Sequence, residues 1–75
     1  MTQTVIVENK NGVLKKVEES FTTPKNALID YVQRTVMFDY SAPILDYIVS
    51  RMREGEPDHW YYDNGATRIA AYPAR

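Results

Sequence analysis

The side chain best suited to acid–base chemistry is that of His59, the single histidine of this 75-residue chain. It follows Asp58, and a histidine oriented by a carboxylate is a common general base. Adjacent residues of a strand point to opposite faces, however, so Asp58 is badly placed to orient the His59 ring. We therefore predict that His59 lies on a solvent-facing strand surface and that the protein is not an enzyme.

The other residue types that carry chemistry are absent or have structural explanations. The chain has no cysteine, which excludes a disulfide framework and a thiolate zinc site. Asp58 and Asp63 flank a turn, but their spacing is not that of a calcium-binding loop. Ser41 is better explained as a helix cap than as a nucleophile. The three glycines are assigned to turns and a helix end, which leaves no phosphate-binding loop. We expect neither a metal nor a cofactor.

The charge of the chain is nearly balanced, with 9 lysines and arginines against 10 acids and a formal net charge of −1. Nucleic-acid binding by counterion release requires a concentrated basic face. The cations here are scattered along the sequence, so a nucleic-acid partner is not favoured. A nucleic-acid-binding regulator that contacts phosphates through Arg51, Arg53 and Arg68 is retained as an alternative.

The sequence shows no targeting or membrane-spanning pattern. Residues 1–8 lack the basic start and apolar run of a signal peptide. No stretch approaches the roughly 20 apolar residues that a membrane-spanning helix needs. We therefore expect a cytoplasmic protein with no membrane partner.

The compositional excess is aromatic, with six tyrosines, two phenylalanines and one tryptophan. The run from His59 to Tyr62 must place aromatic rings on both faces of a strand. Trp60 and Tyr62 are predicted to face the core beside Ile69 and Ala71. The opposite face is predicted to hold His59, Tyr61, Arg68, Ala70 and Tyr72.

Tyrosine, tryptophan and arginine supply much of the binding energy at protein interfaces, so this opposite face is the candidate partner-binding surface. Two alternatives remain open. Tyr61 and Tyr72 could be a cross-strand pair that only stabilises the sheet, or the face could stack nucleic-acid bases beside Arg68 and Arg75. Tyr47 is also a candidate contact residue, and it either joins the surface or covers the stem of Arg51, four residues later.

A β-hairpin over residues 3–21 is predicted from a β-branched segment followed by the turn signal Asn11-Gly12. A three-residue loop ending at Gly12 would place Val5 opposite Val17, whereas a two-residue loop would place Val5 opposite Glu18. The sequence favours the three-residue loop, because a buried face decides register. The apolar face would then hold Val5, Val7, Val13, Val17 and Phe21.

Two helices are predicted over residues 24–38 and 42–54. Thr23 and Ser41 are their capping residues, and Gly55 is the stop of the second helix. The buried stripe of the first helix contains Ala27, Leu28, Tyr31, Val32, Thr35 and Phe38. That of the second contains Ile44, Leu45, Ile48 and Met52.

A second hairpin is predicted over residues 59–72, with a two-residue Asn64-Gly65 turn that sets Trp60 opposite Ile69. The expected fold is therefore a single α+β domain, 1–75, in the order β-β-α-α-β-β. Its two layers are a four-stranded antiparallel sheet and two helices packed on one face. The other face is left to water or to a partner.

In size, in its lack of catalytic residues and in its α+β layout, the chain resembles the small accessory proteins of phages and mobile elements. That group includes inhibitors of host defence such as anti-CRISPR proteins. The resemblance is one of type, and it transfers no motif and no residue. It implies a non-enzymatic protein-binding module that inhibits or modulates a host protein complex. A structural homodimer is a further alternative, because the core of so short a chain is marginal.

Overall fold

The chain folds as two strands, two helices and three further strands. The computed structural model describes residues 3–20, 22–56 and 58–74, and only the backbone of 17–20. The strands are β1 (Thr4–Lys10), β2 (Val13–Ser20), β3 (Met52–Glu54), β4 (Trp60–Asp63) and β5 (Thr67–Pro73). The helices are α1 (Pro24–Val32), which continues into a π-helical turn (Gln33–Met37), and α2 (Ala42–Ser50).

All five strands form one antiparallel sheet in the order β2-β1-β5-β4-β3. A single apolar core joins Ile6, Tyr62, Ile69 and Ala71 of the sheet to residues of both helices. These four residues share one face of the sheet, so both helices pack on that face. The α+β class and the antiparallel sheet are confirmed, whereas the prediction of four strands is wrong.

The additional strand, β3, arises because α2 ends at Ser50, four residues earlier than predicted. Residues 52–54 instead pair with β4, with Met52 opposite Tyr62. This pairing provides hydrogen-bond partners for backbone N–H and C=O groups of β4, which would otherwise be the edge strand of the sheet. Gly55 therefore follows a strand, and the prediction that it stops the helix is wrong.

The first helix also departs from its predicted course at its carboxyl end. The Phe38 N–H donates to the carbonyl of Gln33, five residues back, and Phe38 is left-handed with φ 55°. The hydroxyl of Thr35 donates to the carbonyl of Tyr31 at 2.7 Å, which competes with regular helical bonding. The π-helical turn rotates Phe38 outward, and it is 79% exposed. Its predicted burial is wrong, as is that of Leu45, which lies on the exposed flank of α2.

The β1–β2 hairpin has a two-residue turn, so the predicted three-residue loop is wrong. Lys10 pairs with Val13, and a bulge between Ile6 and Val7 shifts the register, so that Val5 lies opposite Glu19. Asn11 and Gly12 both have positive φ, as in the tight turns that suit hairpin twist. The preference of Asn11-Gly12 for a two-residue turn therefore determines how the two strands pair, and the spacing of the valines does not.

Thr4 and Ile6 of β1 face the helices, whereas Val5 and Val7 lie on the opposite face of the sheet, where Val5 is nevertheless buried. Glu8 continues the helix-facing side of β1 and accepts a hydrogen bond from the Tyr31 hydroxyl at 2.9 Å. Val13 is exposed. The predicted contributions of the Val17 side chain, Phe21 and Arg75 lie outside the described residues.

The β4–β5 hairpin is shifted by two residues from its predicted register, with Tyr62 opposite Ile69 and Trp60 opposite Ala71. The turn is longer than predicted because two hydrogen bonds join Asn64 and Thr67. The Asn64 N–H donates to the Thr67 carbonyl at 3.2 Å, and the Thr67 N–H donates to the Asn64 side-chain oxygen at 2.9 Å. Because side chains alternate along a strand, a register shift of two residues leaves each side chain on the same face of the sheet. The prediction that Trp60 and Tyr62 face the core beside Ile69 and Ala71 is therefore confirmed.

Candidate partner-binding surface

The face of the sheet opposite the helices, which we call the open face, is formed by alternate residues of all five strands. Its described residues are Val5, Val7, Asn9, Leu14, Lys16, Arg53, Tyr61, Asp63, Arg68, Ala70 and Tyr72. A shallow groove of about 170 Å³ lies on this face and is lined by several of these side chains. The structure thus places Tyr61, Arg68 and Tyr72 on one surface, as predicted from strand alternation.

One row of residues crosses the whole open face. It runs Lys16, Val7, Ala70, Tyr61, Arg53, each residue paired with the next across neighbouring strands. Neighbouring strands lie about 4.8 Å apart, so the two ends of the row are roughly 19 Å apart. The row therefore has a cation at each end and an apolar centre.

A second row lies beside the first and contains Leu14, Asn9, Arg68 and Asp63. Leu14 is 70% exposed on this face. The Arg68 Nε lies 3.4 Å from Asp63 Oδ2, and both side chains remain largely open to solvent. Exposed ion pairs are weak, so a partner carboxylate could replace Asp63 at little cost.

At the other end of the open face, His59 stacks on Tyr72, with ring centroids 5.6 Å apart and an interplanar angle of 19°. Val5 lies opposite Tyr72 in the register and is buried. The backbone holds His59 in place, because its N–H donates to the Glu56 carbonyl at 2.9 Å and its carbonyl accepts from Gly55 at 3.1 Å. His59 is thus part of an aromatic contact at the margin of the face.

Tyr61 depends on the absence of a side chain at Gly55. A Cβ at Gly55 would collide with the Tyr61 ring. Gly55 does not have positive φ, so its backbone conformation is open to other residues. The glycine therefore serves to let the Tyr61 ring lie against the backbone.

We expect Gly55→Ala to lower the free energy of unfolding by about 1–3 kcal/mol, because the added methyl group displaces the Tyr61 ring. Urea denaturation measures this change. In a Tyr61→Ala background the same substitution should cost less than about 0.5 kcal/mol, since the collision no longer exists. An equal cost in both backgrounds would refute the assigned contact.

Tyr47 lies on α2 and Arg51 directly follows that helix. Arg51 also lines a shallow pocket that it shares with Arg53 and Tyr61 at the margin of the open face. The Arg51 guanidinium carbon is 5.5 Å from the centre of the Tyr47 ring, a cation–π distance. This geometry agrees with the interpretation that Tyr47 covers the arginine. Of the six predicted contact residues, Tyr61, Arg68 and Tyr72 lie on the open face and His59 at its margin, whereas Arg51 reaches the margin near Tyr61 and Tyr47 packs on Arg51.

The Tyr62 hydroxyl is buried beside this pair and has no hydrogen-bond partner among the described residues. Burial raises the pKa of Tyr62 above its ordinary value of 10.0; among the smaller effects, Tyr47 raises this pKa further, whereas Asn64 and Arg51 lower it. The raised pKa means that the native state keeps the phenol proton longer than the unfolded chain does. Its contribution to stability is complete below pH 10 and declines as the pH rises further.

We therefore expect the melting temperature to fall above about pH 10 and this fall to become shallower in Tyr62→Phe. At neutral pH the variant should remain within about 1 kcal/mol of wild type, since the lost hydroxyl has no partner. Tyr40→Phe is the matched control, because Tyr40 is exposed. Calorimetry across this pH range makes the comparison, and identical alkaline profiles for wild type and Tyr62→Phe would contradict it.

Seven described residues of the open face were absent from the predicted partner-binding face: Val5, Val7, Asn9, Leu14, Lys16, Arg53 and Asp63. Arg53 was predicted only as part of the nucleic-acid alternative. Leu14 and Lys16 join the face through the two-residue turn, which sets Val7 opposite Lys16. The Asn11-Gly12 signal could have revealed this register. Arg53 joins it through β3, for which the sequence carries no separate strand signal.

Within residues 3–20, 22–56 and 58–74, no group of three histidine, cysteine, aspartate or glutamate side chains could hold a metal ion. In the same ranges, no helix has the length and apolar character required to cross a membrane. Comparison with protein-family models, curated proteins and solved structures found no match.

Proposed function

We propose that this protein is a small non-enzymatic binding module that uses its open face to occupy the surface of a protein partner. The observation that carries the proposal is the row crossing all five strands with Tyr61 and Arg53 at one end. Both helices are used on the opposite face to build the core. The open face is therefore available to bind without any loss of core packing.

The pairing around Tyr61 favours binding over a purely stabilising role. Tyr61 lies opposite Ala70, not opposite Tyr72. The small side chain of Ala70 leaves space beside the Tyr61 ring, and both residues line the groove. A ring beside an open groove can bury further area on contact with a partner, at low cost in conformational entropy.

The resemblance to phage and mobile-element accessory proteins suggests how such a module would act. Covering a functional surface of a host complex requires no chemistry from the module itself. We therefore propose inhibition or modulation of a host protein complex, of the anti-defence kind, in the cytoplasm. The lack of cysteine suits that reducing compartment.

The test is affinity capture from the native host with wild type and a Tyr61→Ala/Tyr72→Ala variant. The matched control is Phe38→Ala/Tyr40→Ala, which also removes two aromatic rings but from the exposed connection between the helices. A partner retained by wild type and the control, and lost by the first variant, supports the proposal. Equal recovery by all three folded proteins would contradict it.

A nucleic-acid-binding regulator is the second candidate, favoured by the presence of Lys16, Arg53 and Arg68 on the same face as Tyr61. Arg51, a member of the predicted phosphate-binding set, instead packs on Tyr47. Counterion release makes nucleic-acid affinity fall steeply with salt. Retention on a DNA column only at very low salt would count against this candidate. The homodimer remains a prediction that a sizing column tests.

A further inference from the structure

We infer that the partner segment bound by the open face is an acidic polypeptide with an apolar centre and carboxylates on both sides. The inference rests on the proposed function and specifies the chemistry of the partner. It is carried by the distribution of charge on the open face and by the length of the row that crosses it.

Charge is unevenly distributed over the molecule. The open face carries Lys16, Arg53 and Arg68, three of the nine lysines and arginines of a chain whose net charge is −1. Asp63 is the acid among the described side chains of this face, and it is paired with Arg68. Glu19 occupies the register position opposite Val5, beyond the first row. The described side chains of the open face therefore carry a net positive charge, whereas the chain as a whole carries a net charge of −1.

The two unpaired cations stand at opposite ends of the first row. Among the described residues, neither Lys16 nor Arg53 forms an ion pair. Between them lie Val7, Ala70 and Tyr61, which form the floor of the groove. A segment lying across the strands would meet a cation, an apolar floor and a second cation over roughly 19 Å.

Carboxylates are the complementary groups for these cations. Arginine binds a carboxylate through two parallel hydrogen bonds, which adds geometric specificity to charge attraction. Arg68 can exchange its exposed bond to Asp63 for a bond to a partner acid, because exposed pairs contribute little.

A nucleic acid is also anionic but fits the face less well. Because Tyr72 already stacks on His59, base stacking on the two open-face tyrosines would depend mainly on Tyr61. The overall charge of −1 gives no long-range attraction to a polyanion. Localised carboxylates around an apolar side chain match both the isolated cations and the apolar floor.

The experiment is selection of a random peptide library displayed on phage against the immobilised protein, followed by affinity measurements on synthetic copies of the selected peptides. We expect the peptides to carry aspartate or glutamate on both sides of an aromatic or aliphatic residue. Arg53→Glu/Arg68→Glu should weaken their binding by roughly tenfold or more. Lys10→Glu/Lys15→Glu reverses two exposed charges on the helix-facing side of the β1–β2 hairpin and should leave binding nearly unchanged.

The outcomes separate the inference from the function on which it rests. Neutral or basic peptides that lose affinity with Tyr61→Ala/Tyr72→Ala would overturn the acidic partner and retain a protein-binding face. Peptides insensitive to every open-face variant, or the absence of any selected peptide, would overturn both. Tighter binding of a single-stranded oligothymidylate than of the selected peptides would assign the face to nucleic acid instead.

Discussion

Replacing Leu28 with alanine is expected to lower the free energy of unfolding by about 2–5 kcal/mol. Leu28 lies on α1 and is completely buried in the core between the sheet and the helices. Truncation removes apolar contacts and leaves a cavity that the surrounding strands can fill only in part. A domain of 75 residues has a total stability of only about 4–11 kcal/mol. This single change therefore removes a large share of it.

Urea denaturation followed by circular dichroism measures the effect of Leu28→Ala. The matched control is Leu14→Ala, the same substitution at an exposed position of the open face. It should change the free energy of unfolding by no more than about 0.5 kcal/mol. Comparable losses for the two variants would mean that the core does not lie between the helices and the sheet face carrying Ile6.

Tyr61→Ala is expected to weaken binding of the captured partner by about 2 kcal/mol or more, roughly 30-fold. Tyr61 lies one strand in from the edge of the sheet, between Ala70 and Arg53 on the open face. Aromatic residues that a partner covers completely are among those that dominate binding energy. Tyr72→Ala should have a smaller effect, because the Tyr72 ring is already stacked on His59.

Titration calorimetry on the folded single variants measures these affinities. Tyr61→Phe keeps the ring and should retain most of the affinity, which separates lost contact area from a lost hydroxyl. Phe38→Ala is the control for loss of an exposed ring elsewhere, and it should bind like wild type. A larger loss for Phe38→Ala than for Tyr61→Ala would move the interface to the connection between the helices.

The predictions that depend on strand alternation agree with the structure. Trp60 and Tyr62 alternate with Tyr61 whatever the turn length, provided the register shifts by an even number of residues. The observed shift is two residues. The sequence therefore predicted which residues of β4 and β5 share a face, although it did not predict which residues lie opposite each other on the two strands.

The predictions that failed concern segments in which two sequence signals, or a sequence signal and a tertiary contact, favour different structures. In the first hairpin, the left-handed pair Asn11-Gly12 sets the register near the turn, and a bulge between Ile6 and Val7 shifts it by one residue farther along. Phe38 follows the helical spacing of buried residues, but a π-helical turn adds one residue to that spacing. β3 has only three residues, and it exists because β4 offers an edge. The bulge and β3 depend on tertiary pairing that local sequence patterns do not encode, whereas the Asn11-Gly12 turn is a local signal that was given less weight than the valine pattern.

Hydroxyl-radical footprinting of the free protein and of the captured complex tests the central claim most directly, because it reports the exposure of individual side chains. We expect Leu14, Tyr61 and Tyr72 on the open face to become protected by the partner, while Phe38 and Tyr40 on the helical side react as before. Protection of Phe38 and Tyr40, with Leu14 and Tyr61 unchanged, would contradict the assignment of the open face as the binding surface.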